Sequence, residues 1–411
     1  MVSAGSTALQ RRAPAEGLAA PDNVGRPPAR EGAVLVYSRG VYPAQMGGRE
    51  VFVADLVRGL AERGRNVVLL TERDPGIDEP GVRIAEAPTH EIPGIGFVLF
   101  AIGAFRALLA RRSEVEWIHA HSPRANVSLA GFLASFFGKK LVVTAHCRGV
   151  DYAFSSFAYD VAARVVAVSA SIAENLVEAG VSPDKIEVIP CVPRFPPAPA
   201  SREEARQALG LPLSGFVVLY LGRIDLHKGV QLLVDALRHW PPGRPVRALF
   251  VGDGPARAHL ENSLLARPDV EVTWVGRVDH AEVGIYYRAA DVFVLPSLAE
   301  GSPLSIFEAL HYGTPIVSCD APGLRDFLQD RVNAILVPRS SEGVQRGLLD
   351  LYGDPRLRES LSHPSGPRVA FDHVIDLHLR LYGTKESRFD PERAVSNTTF
   401  DSRPPTGDSH G

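Results

Sequence analysis

The sequence predicts an α/β protein made of two doubly wound domains. Three observations predict it. Short apolar, β-branched runs alternate with helical periodicity over most of the chain. A proline-dense stretch breaks the alternation near the middle, after which it restarts. The length, 411 residues, suffices for two domains of ordinary size with a core each.

The elements follow in order. The first thirty residues are rich in Ala, Pro, Arg and Gly, lack the apolar stretch of a secretory signal, and read as a disordered arm (1–30). An N-terminal domain is expected over 31–195. It opens with a strand, AVLVYS from Ala33, and a helix that carries Val53, Leu56, Val57 and Leu60 on one face and stops at Gly64. NVVLLT, EWIHAH, KLVVTAH and RVVAVSA are further β-rich runs separated by helical stretches. The linker from Ile189 to Ala200 holds five prolines in twelve residues. A C-terminal domain over 196–370 repeats the pattern with FVVLYLG, VRALFVGDG, VEVTWVG, DVFVLPS and, after Pro315, IVS, with helices between them. An amphipathic helix is expected over 371–385, and a second disordered segment over 386–411.

Composition narrows the function. The chain is 45% hydrophobic and 22% charged with a formal net charge of −3, which gives no electrostatic basis for a nucleic-acid partner. Cys147, Cys191 and Cys319 are scattered without CxxC spacing, which fits a reducing compartment and hence the cytoplasm. The apolar run from Ile92 to Phe105 stops at Arg106 and is too short to span a bilayer. It reads either as a helix packed in the core or as one lying on a membrane surface. Oligomeric state is not encoded in any visible pattern.

Chemistry concentrates in SLAEGSPLSIFEALHYGTPIVS, Ser297 to Ser318. Ser302 is a good N-cap, Pro303 suits the first helical position, and Gly313 with Pro315 makes a stop. Glu300 then sits in a strand-to-helix loop and Glu308 within the helix. Such loops at the carboxyl ends of parallel strands are where open sheets bind ligands. The amides of Gly301, Ser302, Leu304 and Ser305 would face an anion, and the two carboxylates suit hydroxyls of a sugar or ribose. The other reading is that Glu300 complements the helix dipole and Glu308 is a solvated helix residue. Upstream, YLGRIDLHKGV places Arg223 and Lys228 in the loop after the domain's first strand. They suit a diphosphate, or are ordinary surface cations. Gly47 and Gly48 suit a tight strand-helix turn. His119, His121 and His146 end two adjacent strands, an arrangement that raises a three-histidine metal site. No acidic residue pairs with them, so no metal site is expected.

The order and spacing of LGRIDLHKG, the E-x7-E pair Glu300 and Glu308, HAH, TAH, VAVSA and VGDGP resemble the retaining glycosyltransferases of the GT-B fold, in particular glycosyltransferase family 4, from about Ala33 to Tyr382. The resemblance implies two Rossmann-like domains facing a cleft and transfer of a sugar from a nucleotide-diphosphate donor, UDP- or GDP-type, to an acceptor. It implies that Glu300 lies at the donor sugar, Glu308 holds the ribose, Arg223 and Lys228 neutralise the leaving diphosphate, and Gly47 and Gly48 approach the same phosphates. His146 would stand near the donor sugar on the acceptor side, His119 and His121 would be either structural or part of the acceptor pocket, and Cys147 would lie on or near the acceptor side. No Asp-x-Asp occurs in the chain. Metal-independent transfer without a cofactor is the consistent expectation. Two other readings share these residues: a GT-B enzyme acting on sugar phosphates, and a nucleotide-sugar-binding protein without turnover. The chain departs from the family pattern at VIPCVPRF, which lacks a turn-forming Asn-Gly, and at Cys147-Arg148-Gly149 after His146; both departures bear on the acceptor.

Overall fold

A computed structural model describes residues 32–90, 92–121, 125–147, 152–264, 268–363 and 369–383. The arm, the second tail, Arg148 and Gly149 lie outside the described residues.

Seven strands form the first sheet: β1 (Ala33–Tyr37), β2 (Val67–Thr71), β3 (Val82–Glu86), β4 (Val115–Ala120), β5 (Lys140–Ala145), β6 (Arg164–Ala167) and β7 (Ile186–Val188), in the order β3-β2-β1-β4-β5-β6-β7. Six form the second: β8 (Phe216–Leu221), β9 (Val246–Val251), β10 (Val270–Gly276), β11 (Val292–Leu295), β12 (Ile316–Cys319) and β13 (Ile335–Val337), in the order β10-β9-β8-β11-β12-β13. Every strand pair is parallel. These are two Rossmann-like layers. The central strands β1, β2 and β11 are buried along their whole length, which is why they read as unbroken apolar runs.

Strand order decides where helices go. From β1 the chain steps one way to β2 and β3, then the other way from β3 through β4 to β7. With right-handed crossovers, α1 (Gly48–Glu62) covers one face of the first sheet, while α2 (Pro93–Ala110), α3 (Ala125–Phe137) and α4 (Tyr152–Val161) lie side by side on the other. The chain's last described helix, Phe371–Leu381, returns to the first domain and packs on α1. A Cβ on Gly59 of α1 would stand 2.6 Å from Ile375 Cδ1, so the helices touch where glycine leaves room. Arg63 pairs with Asp372 at 2.8 Å and with Asp376 beside it. The proline-rich linker is held to the second domain. Phe195 stacks on His311 with ring centroids 4.0 Å apart, and the Tyr312 hydroxyl donates to Pro196 O.

Two expectations are corrected locally. The helix after β11 spans Leu304–His311, and its N-cap is Pro303 rather than Ser302. Ser302 Oγ instead accepts the backbone N–H of Cys191 at 3.0 Å, a contact from the end of the first domain that outcompetes capping. Three strands, β3, β7 and β13, went unseen. β3 is largely solvated at the sheet edge, and the others have three residues each.

Candidate active site

The carboxyl ends of both sheets face a common cleft of about 630 Å³. The first domain lines it with the start of α1 (Gly47, Gly48, Arg49, Glu50), His146 and Cys191. The second supplies Arg223 and Lys228 after β8, the loop from Glu300, the first turn of the Leu304–His311 helix, and Glu308. All the donor-side residues read from the sequence are therefore brought to one place.

Glu300 and Lys228 form its centre. Lys228 Nζ donates to both carboxylate oxygens of Glu300, at 2.7 and 2.8 Å, and Ser297 Oγ donates to Oε1 at 2.6 Å. The approach of the two loops depends on Gly229. That residue has φ +68°, and a Cβ on it would lie 1.8 Å from Pro296 O. Arg223 is exposed and pairs with Asp225, whose carboxylate also accepts the His227 N–H at 3.0 Å. That backbone hydrogen bond, with the Arg223 charge, holds the Asp225 carboxyl below its ordinary range. Leu304 and Ser305 are the first two helical residues, so their N–H groups have no intrahelical acceptor and stand at the positive end of the helix.

Glu308 is almost wholly buried, and both its oxygens are occupied. Oε1 accepts from His280 Nε2 and Oε2 from the Tyr287 hydroxyl, each at 2.8 Å. A solvated helix residue is excluded. Burial opposes charge on His280, but the bond to Glu308, with Asp55 and Asp279 nearby, raises its pKa above the ordinary value. The first domain reaches this corner as well, since the Tyr42 hydroxyl donates to Asp279. His280, Tyr287 and Arg49 were missed by sequence reasoning. Arg49 had a signal, directly after the Gly47-Gly48 pair; His280 had none, because it lies 28 residues from the carboxylate it serves.

The histidines divide. His146 lines the cleft, where burial and the nearby Arg49 charge lower its pKa to about 3. Its Nε2 lies 3.2 Å from His121 Nδ1 and its Nδ1 lies 3.7 Å from Cys191 Sγ. Both ring nitrogens are thus engaged inside the protein, and burial disfavours the charged ring. What it turns toward the donor loop is its backbone carbonyl. A Cβ on Gly301 would lie 2.1 Å from His146 O. For His119 the structural alternative holds. It is fully buried in the core, with Nδ1 2.6 Å from the Tyr382 hydroxyl and Nε2 2.7 Å from Thr144 Oγ1, and has no face on the cleft. His121 lies behind His146 and is fully buried. Cys147 is exposed outside the lining. The acceptor-side reading of His119 and His121 therefore fails for direct contact, because both side chains are fully buried. Among the described residues no group of three or more His, Cys, Asp or Glu side chains is arranged to hold a metal ion.

The arrangement can hold an anion between cations and helix amides while presenting a fixed carboxylate beside it. Comparison with known proteins gives this a family. The model for glycosyltransferase family 4 matches residues 46–192, and that for group 1 glycosyl transferases matches residues 201–364. A D-inositol 3-phosphate glycosyltransferase of Xylanimonas cellulosilytica is 31% identical over 71% of this chain and 79% of its own. A 2-deoxystreptamine N-acetyl-D-glucosaminyltransferase of Streptomyces fradiae is 29% identical over 72% of this chain and 81% of its own. Among solved structures, Anabaena HepE in complex with UDP-glucose superposes with a TM-score of 0.68 at 18% identity, covering 90% of this chain and 98% of that one. WaaG, a glycosyltransferase involved in lipopolysaccharide biosynthesis, gives 0.64 at 16%, covering 89% and 99%. Both show the GT-B fold.

Proposed function

The chain belongs to the family 4, group 1 glycosyltransferases of GT-B fold, and from that premise we propose that it is a retaining, metal-independent hexosyltransferase of the cytoplasm that uses a UDP- or GDP-type sugar donor. The observation that carries this reading is the Lys228–Glu300 pair at the start of the Leu304–His311 helix, facing Gly47 and Gly48 across the cleft.

Cleaving a glycosyl phosphate builds negative charge on the diphosphate and positive charge on the sugar. Arg223, Lys228 and the amides of Leu304 and Ser305 are fixed where the former charge would develop, so they lower the barrier without reorganising. Glu300 sets where the Lys228 ammonium sits and offers its remaining acceptor capacity to sugar hydroxyls. Glu308, oriented by His280 and Tyr287, has lone pairs left for ribose hydroxyls. The acceptor hydroxyl enters on the face the diphosphate leaves and passes its proton to a phosphate oxygen, which gives retention. His146, which lines the cleft beside the donor loop, bounds the space for the sugar. The missing Asp-x-Asp supports metal independence. The unpaired cysteines support a reducing compartment, and the run from Ile92 to Phe105 supports peripheral contact with a membrane.

The test is a thermal-shift titration of the full chain with UDP, GDP, ADP and their common sugar conjugates, with and without EDTA. Selective stabilisation by one diphosphate, unchanged by EDTA, is expected. Stabilisation abolished by EDTA would overturn metal independence. No stabilisation by any nucleotide, in a folded protein, would overturn the donor assignment and favour a GT-B enzyme acting on sugar phosphates or a protein without turnover.

A further inference from the structure

The helical layer on the first domain's outer face is built against the usual rule. The eighteen residues of α2 and the thirteen of α3 contain one ionisable side chain, Arg106. On α2, Gly96, Phe100, Ala104 and Leu108 recur at helical spacing and are buried against the sheet. The opposite stripe, where a soluble domain places charges, carries Ile95, Val98, Ile102 and Leu109, which are 48%, 54%, 52% and 42% exposed. A helix apolar on both faces has only half of its partners in this fold.

The stripe is part of a wider surface. On α3, Phe132 and Phe136 are exposed and stack at 5.9 Å, and Phe136 packs at 5.4 Å on Phe105 of α2. Gly131 of α3 abuts α4, where a Cβ would stand 3.4 Å from Phe157, itself about half exposed. Exposed apolar side chains thus stand on three adjacent helices, a concentration of the kind that marks an interaction surface. Its border is basic. Arg106 lies on the exposed stripe, Arg112 is exposed just past the end of α2, and Lys139 follows α3, with its Nζ donating to Arg112 O at 2.6 Å. Across the three helices Asp160 of α4 is the single carboxylate.

We propose that this face of α2, α3 and α4 is a docking surface for a lipid bilayer carrying anionic headgroups. Apolar side chains flanked by cations match such a bilayer in both respects: aliphatic and aromatic groups enter the acyl boundary while arginine and lysine meet phosphate. A second copy of the chain fits less well, because a two-fold contact through this face sets the cationic border against itself. Residues 1–31 contain no aromatic residue and no isoleucine, so they do not supply the complementary apolar surface. No helix among the described residues is long and apolar enough to cross a membrane, and half of α2 is committed to the domain core, so the contact is a lateral one. The docking does not depend on the transferase reading. It does orient it: α2 begins directly after β3, at the carboxyl edge of the sheet where Gly47 and His146 also stand, so the surface borders the cleft mouth.

The experiment is flotation of the full chain with vesicles of phosphatidylcholine alone and with about 30 mol % phosphatidylglycerol. The wild type is expected to float with the anionic vesicles and to be released at high salt. A Val98→Gln, Ile102→Gln, Phe132→Gln, Phe136→Gln variant is expected to lose at least about tenfold in partitioning with its circular dichroism unchanged. Arg106→Gln with Arg112→Gln, at two exposed positions, is expected to lose about fivefold per charge and decides the matter if the apolar variant does not fold. No flotation of the wild type, or flotation unaltered by the charge variant, overturns the proposal. So does light scattering that shows a wild-type dimer which the apolar variant reduces to a monomer.

Discussion

A methyl group placed on Gly301 would lie 2.1 Å from the carbonyl oxygen of His146. The donor loop of the second domain and the end of β5 in the first are thus in backbone contact, without room for any side chain between them. Cys191 N–H to Ser302 Oγ at 3.0 Å fastens the neighbouring residues. The spacing of the two domains at this point is therefore set by main chain.

Gly301→Ala is expected to separate these segments by an ångström or so. Misplacement of that size costs about a hundredfold in rate when reacting groups must be aligned. Steady-state kinetics should show kcat/KM reduced by about that factor, with little change in circular dichroism. Wild-type kinetics would mean that the two domains move apart at Gly301 during turnover.

Lys228→Ala and Glu300→Ala should each reduce kcat at least about a hundredfold, as expected when a preorganised charge-stabilising group is removed. Because each holds the other in place, the double variant should be little worse than either single one. Losses that multiply would show that the two residues act independently, and near-normal activity of either single variant would remove that residue from the machinery.

Much of this site could be read from the chain because its parts are local. Glu300, Gly301 and Leu304 share one loop and helix, and Arg223 and Lys228 share another, so spacing alone groups them. The buried strands β1, β2 and β11 were legible for a similar reason: apolar on both faces, they leave no ambiguity of period. What stayed hidden rests on distant partners. His119 stayed open between core and cleft because the partner that decides it, Tyr382, is 263 positions away. Ser302 looked like an N-cap because its competing partner, the Cys191 N–H, comes from the other domain. That the last helix returns to pack on α1 follows from Gly59 and Ile375 meeting, which periodicity within either helix does not reveal.

The buried histidines should make the protein sensitive to acid. Burial lowers the pKa of His119, His121, His146 and His378, the last to about 4, whereas an unfolded chain protonates them below about 6.5. As pH falls through that range the unfolded state binds more protons, so stability drops, by up to about 1.4 kcal/mol per pH unit for each ring charged only when unfolded. His378 lies outside the cleft, in the Phe371–Leu381 helix. His378→Met should flatten the fall in urea-unfolding free energy between pH 6 and pH 4.5 by about one such increment. An unchanged slope would mean that His378 is protonated in the fold.

His280 should behave with the opposite sign. Its burial opposes charge, yet its bond to Glu308 raises the folded pKa above the unfolded value. Its stabilising contribution is therefore complete below the ordinary value near 6.5 and is lost as pH rises through the raised one. His280→Gln keeps most of the volume but not the charge. The stability gap between wild type and this variant, measured by urea unfolding, should be wider at pH 6 than at pH 9. A gap independent of pH would show that His280 contributes packing alone. Because the same bond orients Glu308, the variant should also raise KM for the nucleotide-sugar donor while leaving kcat within a few-fold, the pattern of a lost uniform binding interaction. A fall in kcat at unchanged KM would instead place His280 among groups felt only in the transition state.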